Sequence, residues 1–266
     1  MSIDWSFCVL DDGGGVVDES DADLVHSTAS IGKVFLLCEA AELIASRQLD
    51  PDRVLTRHSD FPVADSGLWQ HLRQETLPLV DVCQLIGAVS DNWATNTLLD
   101  VIGIDAVAAR ALSLGCVHST LHDYVRDERG PEHPVRLSSG TARELAEVAR
   151  RIHAAAAGAC VEGITCAAAA MVERWLMVGV DLSLVGATLH LDPLAHMSGD
   201  LLTWSKTGFD TEVRADMGVV WSADHGFAYA ALATWPRGAE PSPHPVDAMN
   251  ALGRSIAERL AHGTGD

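Results

Sequence analysis

The sequence predicts an α+β fold, in which an antiparallel sheet formed from both termini is flanked by helices and an all-helical subdomain is inserted between. Three observations predict it. β-forming runs open the chain, β-forming runs return near its end, and the residues between them carry helical periodicity. On this reading the 266 residues form one domain, its α/β part about 1–50 and 197–266 and its helical part about 51–196.

Trp5–Leu10 reads as a strand, Asp11–Gly15 as a turn and Val16-Val17 as the start of a returning strand, so the chain opens on a hairpin. The triplet Gly13-Gly14-Gly15 belongs to that turn. It is not a phosphate loop, because no Lys-Ser/Thr and no helix follow it. After Ser30, residues Val34, Leu37, Ala41 and Ile44 recur at helical spacing until Leu49-Asp50-Pro51 ends the helix. Further helices are expected at Leu79–Val89, Trp93–Ile102, Asp105–Leu114, Gly140–Ala156 and Ala167–Val178. Ser119–Ser139 holds two prolines and no periodicity, and reads as a long loop of the kind that usually carries function. Leu201–Lys206, Met217–Ser222 and Phe227–Trp235 read as strands, the last two joined by the turn Ala223-Asp224-His225-Gly226. Val246, Met249, Leu252, Ile256 and Leu260 mark a final amphipathic helix.

Composition removes several function classes. Acidic residues number 37 against 18 basic ones, a net charge of −19, and no Lys/Arg cluster offers a surface for phosphates, so nucleic acid is not an expected partner. The acidity reads as a solvated surface. No apolar run reaches the roughly 18 residues of a membrane span. Nor is there a basic-flanked apolar leader with a small-residue cleavage site, so the chain as given reads as cytoplasmic, or as a mature or trimmed exported form. Six cysteines occur without a Cys-x-x-Cys pair, which argues for buried thiols over zinc or redox motifs. His190, Asp192 and His196 around Pro193 read as surface polar residues. No metal and no cofactor is expected.

Three short motifs stand in order: Ser30-Ile31-Gly32-Lys33, Ser90-Asp91-Asn92 and Lys206-Thr207-Gly208. Positions i and i+3 share a helix face, so the Lys33 amine is expected beside the Ser30 hydroxyl, where a neutral amine can take its proton. A helix N-terminus there stabilises developing negative charge. Ser90 supplies a hydroxyl able to relay a proton to a leaving group, and Asn92 an amide able to pair with a substrate amide. Lys206 and Thr207 place a cation and a hydroxyl on a strand end, suited to a carboxylate and to an extended peptide-like substrate. Each motif alone is common as a cap, turn or strand end; the ordered set is not.

Together these motifs resemble those of class A β-lactamases and penicillin-binding proteins. Sixty residues separate Ser30 from Ser90, similar to the family interval, and SDNWATNTLLDVIG and VFLLCEAAELIASRQLD resemble the family helices that follow the second and first motifs. The likeness runs from about Ser6 to Leu121 and again from Leu202 onward. It implies a β-lactamase/transpeptidase-like fold and an acyl-serine mechanism. Ser30 would attack the carbonyl, Lys33 accept its proton and Ser90 protonate the departing nitrogen. Asn92 would hold the substrate amide, and Lys206, Thr207 and Gly208 its carboxylate end. The oxyanion hole would be the backbone N–H groups of Ser30 and Phe209. Trp69 falls where family members place an aromatic gate over the site, and reads equally as a core residue.

The chain also departs from the family. Class A enzymes carry a loop glutamate that activates water for deacylation; in the corresponding run Leu121-His122-Asp123-Tyr124-Val125 that place holds Val125. Slow deacylation is therefore expected, unless Asp123, Asp127 or Glu128 is rerouted into the site. Arg214 is out of clean register for a carboxylate-binding arginine. Cys83 matches one disulfide cysteine of the family and Cys38 lies one residue off its partner's position, so two thiols are expected. The leading expectation is a serine hydrolase acylated by a small-molecule β-lactam or acyl-peptide. The alternatives are a penicillin-binding or D,D-peptidase-like amidase or esterase, and a non-catalytic ligand-binding relative. The oligomeric state is not legible.

Overall fold

The computed structural model describes residues 3–57, 63, 65–195, 199–223, 225–239 and 244–262. Its strands are β1 (Asp4–Asp11), β2 (Val16–Ser20), β3 (His26–Ser27), β4 (Val54–Thr56), β5 (Thr76–Pro78), β6 (Thr120–Leu121), β7 (Ser138–Gly140), β8 (Leu202–Asp210), β9 (Val213–Trp221) and β10 (Gly226–Thr234). Its helices are α1 (Lys33–Ala45), α2 (Leu79–Val89), α3 (Asn92–Ile102), α4 (Ile104–Ser113), α5 (Ala142–Ala156), α6 (Cys166–Met177) and α7 (Pro245–His262).

Both termini build one antiparallel sheet of order β2-β1-β10-β9-β8. β1 lies against β10 with Asp4 opposite Thr234 and Asp11 opposite Phe227. The run FAYAALAT of β10 shows no polar alternation because both of its faces are covered. Side chains of a strand alternate between faces, so Ala228, Ala230 and Leu232 enter the main core. Phe227, Tyr229, Ala231 and Ala233 enter a second core with Met249, Leu252 and Ile256 of α7. Helix α5 covers the first face with Leu145, Val148, Ala149 and Ile152, and its entrance is capped by Thr141, whose side chain accepts from the Glu144 N–H.

Helix α1 is buried from Lys33 to Cys38 and at Ala40 and Ala41, its apolar surface broken by Lys33 at its head and by Glu39 and Glu42. Such a helix belongs inside a bundle, and here α2, α3, α4 and α6 surround it. A lysine at its buried head is the exception that the site explains.

Several expectations need correcting. Strand β8 continues to Asp210, so Lys206-Thr207-Gly208 lies inside a strand and not at its end. The expected loop Ser119–Ser139 is closed at its base by β6 and β7, with Thr120 opposite Ser139 and Leu121 opposite Ser138. The pair β4–β5 carries three residues on each strand, too few to show a period. Cys38 and Cys83 are buried free thiols, as expected, but Cys160 and Cys166 are exposed. Asp224 of the β9–β10 turn and His196 lie outside the described residues. Asp192 holds its own turn, its carboxylate accepting from the Leu194 and Ala195 N–H groups. Among the described residues no helix is long and apolar enough to cross a membrane.

The middle residue of the second motif is a structural anchor. Asp91 is the N-cap of α3, accepting from the Ala94 N–H at 2.9 Å, and its other oxygen takes the N–H groups of Leu68 and Trp69 at 2.7 and 2.8 Å. Gly67, at φ +133°, leaves the space that carboxylate fills. Asp91→Ala removes a cap and strands three donors, an expected loss of about 2–4 kcal/mol in urea unfolding, with Asp91→Asn retaining part of it. A loss below about 0.5 kcal/mol contradicts this role.

Candidate active site

The head of α1, the α2–α3 junction and the edge strand β8 converge on one cleft. Ser30 sits in a 3₁₀ turn, Ala29–Gly32, that runs directly into α1. Ala29 adopts φ 48°, a left-handed conformation that is costly for a residue with a Cβ. The Ser138 hydroxyl on β7 holds it there by donating to the Ala29 carbonyl. Ser90 is left-handed as well, at φ 55°, and this turns its carbonyl toward Lys33. Two strained residues flank the same cleft, as expected where positioning has been selected over stability.

Lys33 Nζ donates to the Ser90 carbonyl and to Asn92 Oδ1, both at 2.7 Å, and to Ser90 Oγ at 3.2 Å. Among the described residues none of its hydrogen bonds reaches Ser30 Oγ; its partners all lie in the second motif. Lys206 Nζ donates to Ser90 Oγ at 2.9 Å and to the Thr207 carbonyl at 2.7 Å. The Ser90 hydroxyl thus bridges two amines. Burial, and secondarily the nearby Lys206 charge, push the Lys33 ammonium well below the ordinary lysine range. Burial also pulls Lys206 down to about 8, with Asp181 and Asp216 opposing the shift. A neutral Lys33 has two N–H bonds, matching its two 2.7 Å acceptors, and a lone pair left over for a hydroxyl proton.

Gly208 is required by close approach, since a Cβ there would collide with the Thr28 carbonyl and lie 3.3 Å from the Ser30 nitrogen. Strand β8 therefore runs against the turn that carries Ser30. Ser30 and Phe209 line both lobes of the cleft. The first lobe, about 280 Å³, also presents Ser90, Lys206, Thr207 and Asp181. The second, about 540 Å³, presents Asn92, Val125, Asp127 and Arg214.

Trp69 must be reassigned. It is fully buried, its indole N–H donates to the Gln74 carbonyl at 2.9 Å, and it lines neither lobe. It is a core residue beneath the Asp91 anchor. Arg214 lies across the β8–β9 ladder from Phe209, its guanidinium 4.7 Å from that ring and donating to the Asp210 and Val213 carbonyls at 2.7 Å. In the loop, Val125 is buried and pinned by Asn96, which accepts the Val125 N–H at 2.8 Å and donates to its carbonyl at 2.9 Å. Asp123 faces away from catalysis. Burial raises its carboxyl, but hydrogen bonds from Arg126 and Arg129 outweigh this and hold it below its ordinary value. Glu128 lines neither lobe.

Two acids in the site carried no sequence signal. Asp181 accepts from Thr207 Oγ1 at 2.7 Å and from the Ser183 N–H at 3.1 Å; it follows α6 in a segment without motif or periodicity. Asp216, buried on β9 opposite Thr207, accepts from the Val185 N–H at 3.0 Å. Burial raises its carboxyl well above the usual range.

The model of the β-lactamase enzyme family matches residues 2–260. A β-lactamase from Sphaerobacter thermophilus DSM 20745 superposes with a TM-score of 0.82 at 19% identity, covering 97% of this chain and 91% of that one. The structure of PBP-A gives 0.79 at 17% identity, over 98% and 91%. A variant of the class A β-lactamase of the last common ancestor of Gram-negative bacteria gives 0.77 at 19%, over 97% and 94%. Among curated proteins no sequence matches this chain. At such identities the superpositions speak for the fold, while the family match spans nearly the whole chain, and so the protein belongs to the β-lactamase enzyme family as a β-lactamase-like serine hydrolase.

Proposed function

We propose that the protein is an acyl-serine hydrolase that β-lactams acylate at Ser30, and that it releases the acyl group slowly. The observation that carries this reading is the Ser90 hydroxyl held between Lys33 and Lys206 in the cleft that Ser30 lines. Lys33, losing its proton at unusually low pH, accepts the Ser30 proton as Ser30 attacks the carbonyl. Ser90 then hands a proton to the departing nitrogen. The Ser30 and Phe209 backbone N–H groups form the oxyanion hole, an arrangement supported by the approach of β8 to the Ser30 nitrogen. Asn92, tied to Lys33, lines the second lobe where a substrate amide would lie.

Slow release follows from the loop. The Asn96–Val125 pairing supports placing Val125 where class A enzymes carry their water-activating glutamate, and a valine has no basic atom. Of the nearby acids, Asp123 is held by two arginines and Glu128 lines neither lobe; Asp127 lines the second lobe, so slow release requires that it not act as the base. A PBP-A variant has been solved as an acyl-enzyme complex with penicillin G, and a long-lived adduct of that kind is the behaviour proposed here. Incubation with millimolar penicillin G, a chromogenic cephalosporin or an activated ester, followed by intact-mass measurement and peptide mapping, tests the reading. The expected result is a persistent adduct on Ser30 with little turnover. No adduct from any of the three overturns it.

A further inference from the structure

The end of the cleft formed by Lys206, Thr207 and Gly208 suits a carboxylate by residue type, yet its one side-chain hydroxyl is committed to an acid of this chain. The Thr207 hydroxyl donates to Asp181 Oδ2 at 2.7 Å. Lys206 gives hydrogen bonds to Ser90 Oγ and to the Thr207 carbonyl. Arg214, the next cation along β9, spends its guanidinium on two backbone carbonyls and on the Phe209 and Trp235 rings. Asp181 is held in place by the Ser183 backbone N–H and hydroxyl, which both bond its other oxygen, and it lines the same lobe as Ser30. A substrate carboxylate entering here meets the Asp181 carboxylate, and the Thr207 hydroxyl is already given to it.

We infer that Asp181 acts as an internal anion in the carboxylate subsite, so that the enzyme selects acyl donors carrying no carboxylate at that end, such as neutral esters and amides. The inference rests on the acyl-serine reading and specifies its substrate class. Asp181 is then a specificity-determining residue, and the reacting bond is the same in preferred and rejected substrates.

The test compares penicillin G with its methyl ester, two compounds with one β-lactam ring that differ only at this carboxyl group. The second-order rate of Ser30 acylation is read by intact mass in the parent, in Asp181→Asn, and in Glu162→Gln, which removes an exposed carboxylate outside the cleft. The parent is expected to favour the ester by tenfold or more. Asp181→Asn is expected to shift the ester-to-acid ratio toward the acid by tenfold or more, and Glu162→Gln to leave the ratio unchanged. A parent that favours the acid, or a ratio that Asp181→Asn does not move, overturns the inference while the acyl-serine reading stands. Failure of both compounds to label Ser30 overturns that reading, and this inference with it.

Discussion

Replacing Lys33 with methionine is expected to slow acylation of Ser30 by about 10²–10⁴, the usual contribution of a positioned general base. Methionine keeps the unbranched length at a fully buried position while removing the nitrogen. The sign of the pH dependence follows from the site. Below its titration point Lys33 is an ammonium without a lone pair, so acylation is slow. As pH rises through that point, set well below 10.5 by burial and by Lys206, the rate climbs to a plateau. The variant is expected to lose this rise. A residue that only supported the fold would lower the rate without changing the profile, so stopped-flow or quenched mass measurements across pH separate the two roles. A variant that acylates at the parent's rate with the parent's profile removes Lys33 from the mechanism.

The converse prediction concerns release. On the proposed reading, Val125→Glu is expected to shorten the lifetime of the Ser30 adduct by about 10²–10⁴, because it supplies a carboxylate base at that position. The geometry favours success. The Val125 backbone is held on both sides by Asn96, and its side chain lines the lobe shared by Ser30 and Asn92. The new carboxyl enters a partly buried position, so its own pKa should be raised, and release should quicken as pH rises through it. Return of the unmodified mass after excess β-lactam is removed reads the lifetime directly. A folded variant whose adduct persists as long as the parent's refutes the assignment of Val125 as the missing base.

Much of the architecture was legible beforehand because its signals are local. The apolar spacing of α2 located it at Leu79–Val89, and the helix expected over Gly140–Ala156 is α5, Ala142–Ala156. Strands of three residues such as β4 escaped, since they are too short to show a period. Motif residues were legible for the same reason: Ser30 and Lys33 share one turn of chain, and Ser90 and Asn92 flank one helix junction.

Residue types, their order and the helical periods pointed to the fold class and brought forward Ser30, Lys33, Ser90 and Lys206 as candidates. Only the tertiary structure decided how those groups are connected. It sent Lys33 to Asn92 across 59 positions and Lys206 to Ser90 across 116. It buried Trp69 under the Asp91 anchor, and it set Asp181 on Thr207. The physical reason is the range of the interactions. Helical and strand periods are set by neighbours within a few residues, whereas these hydrogen bonds join segments that meet after the chain has packed, and no local pattern records which partner they will find.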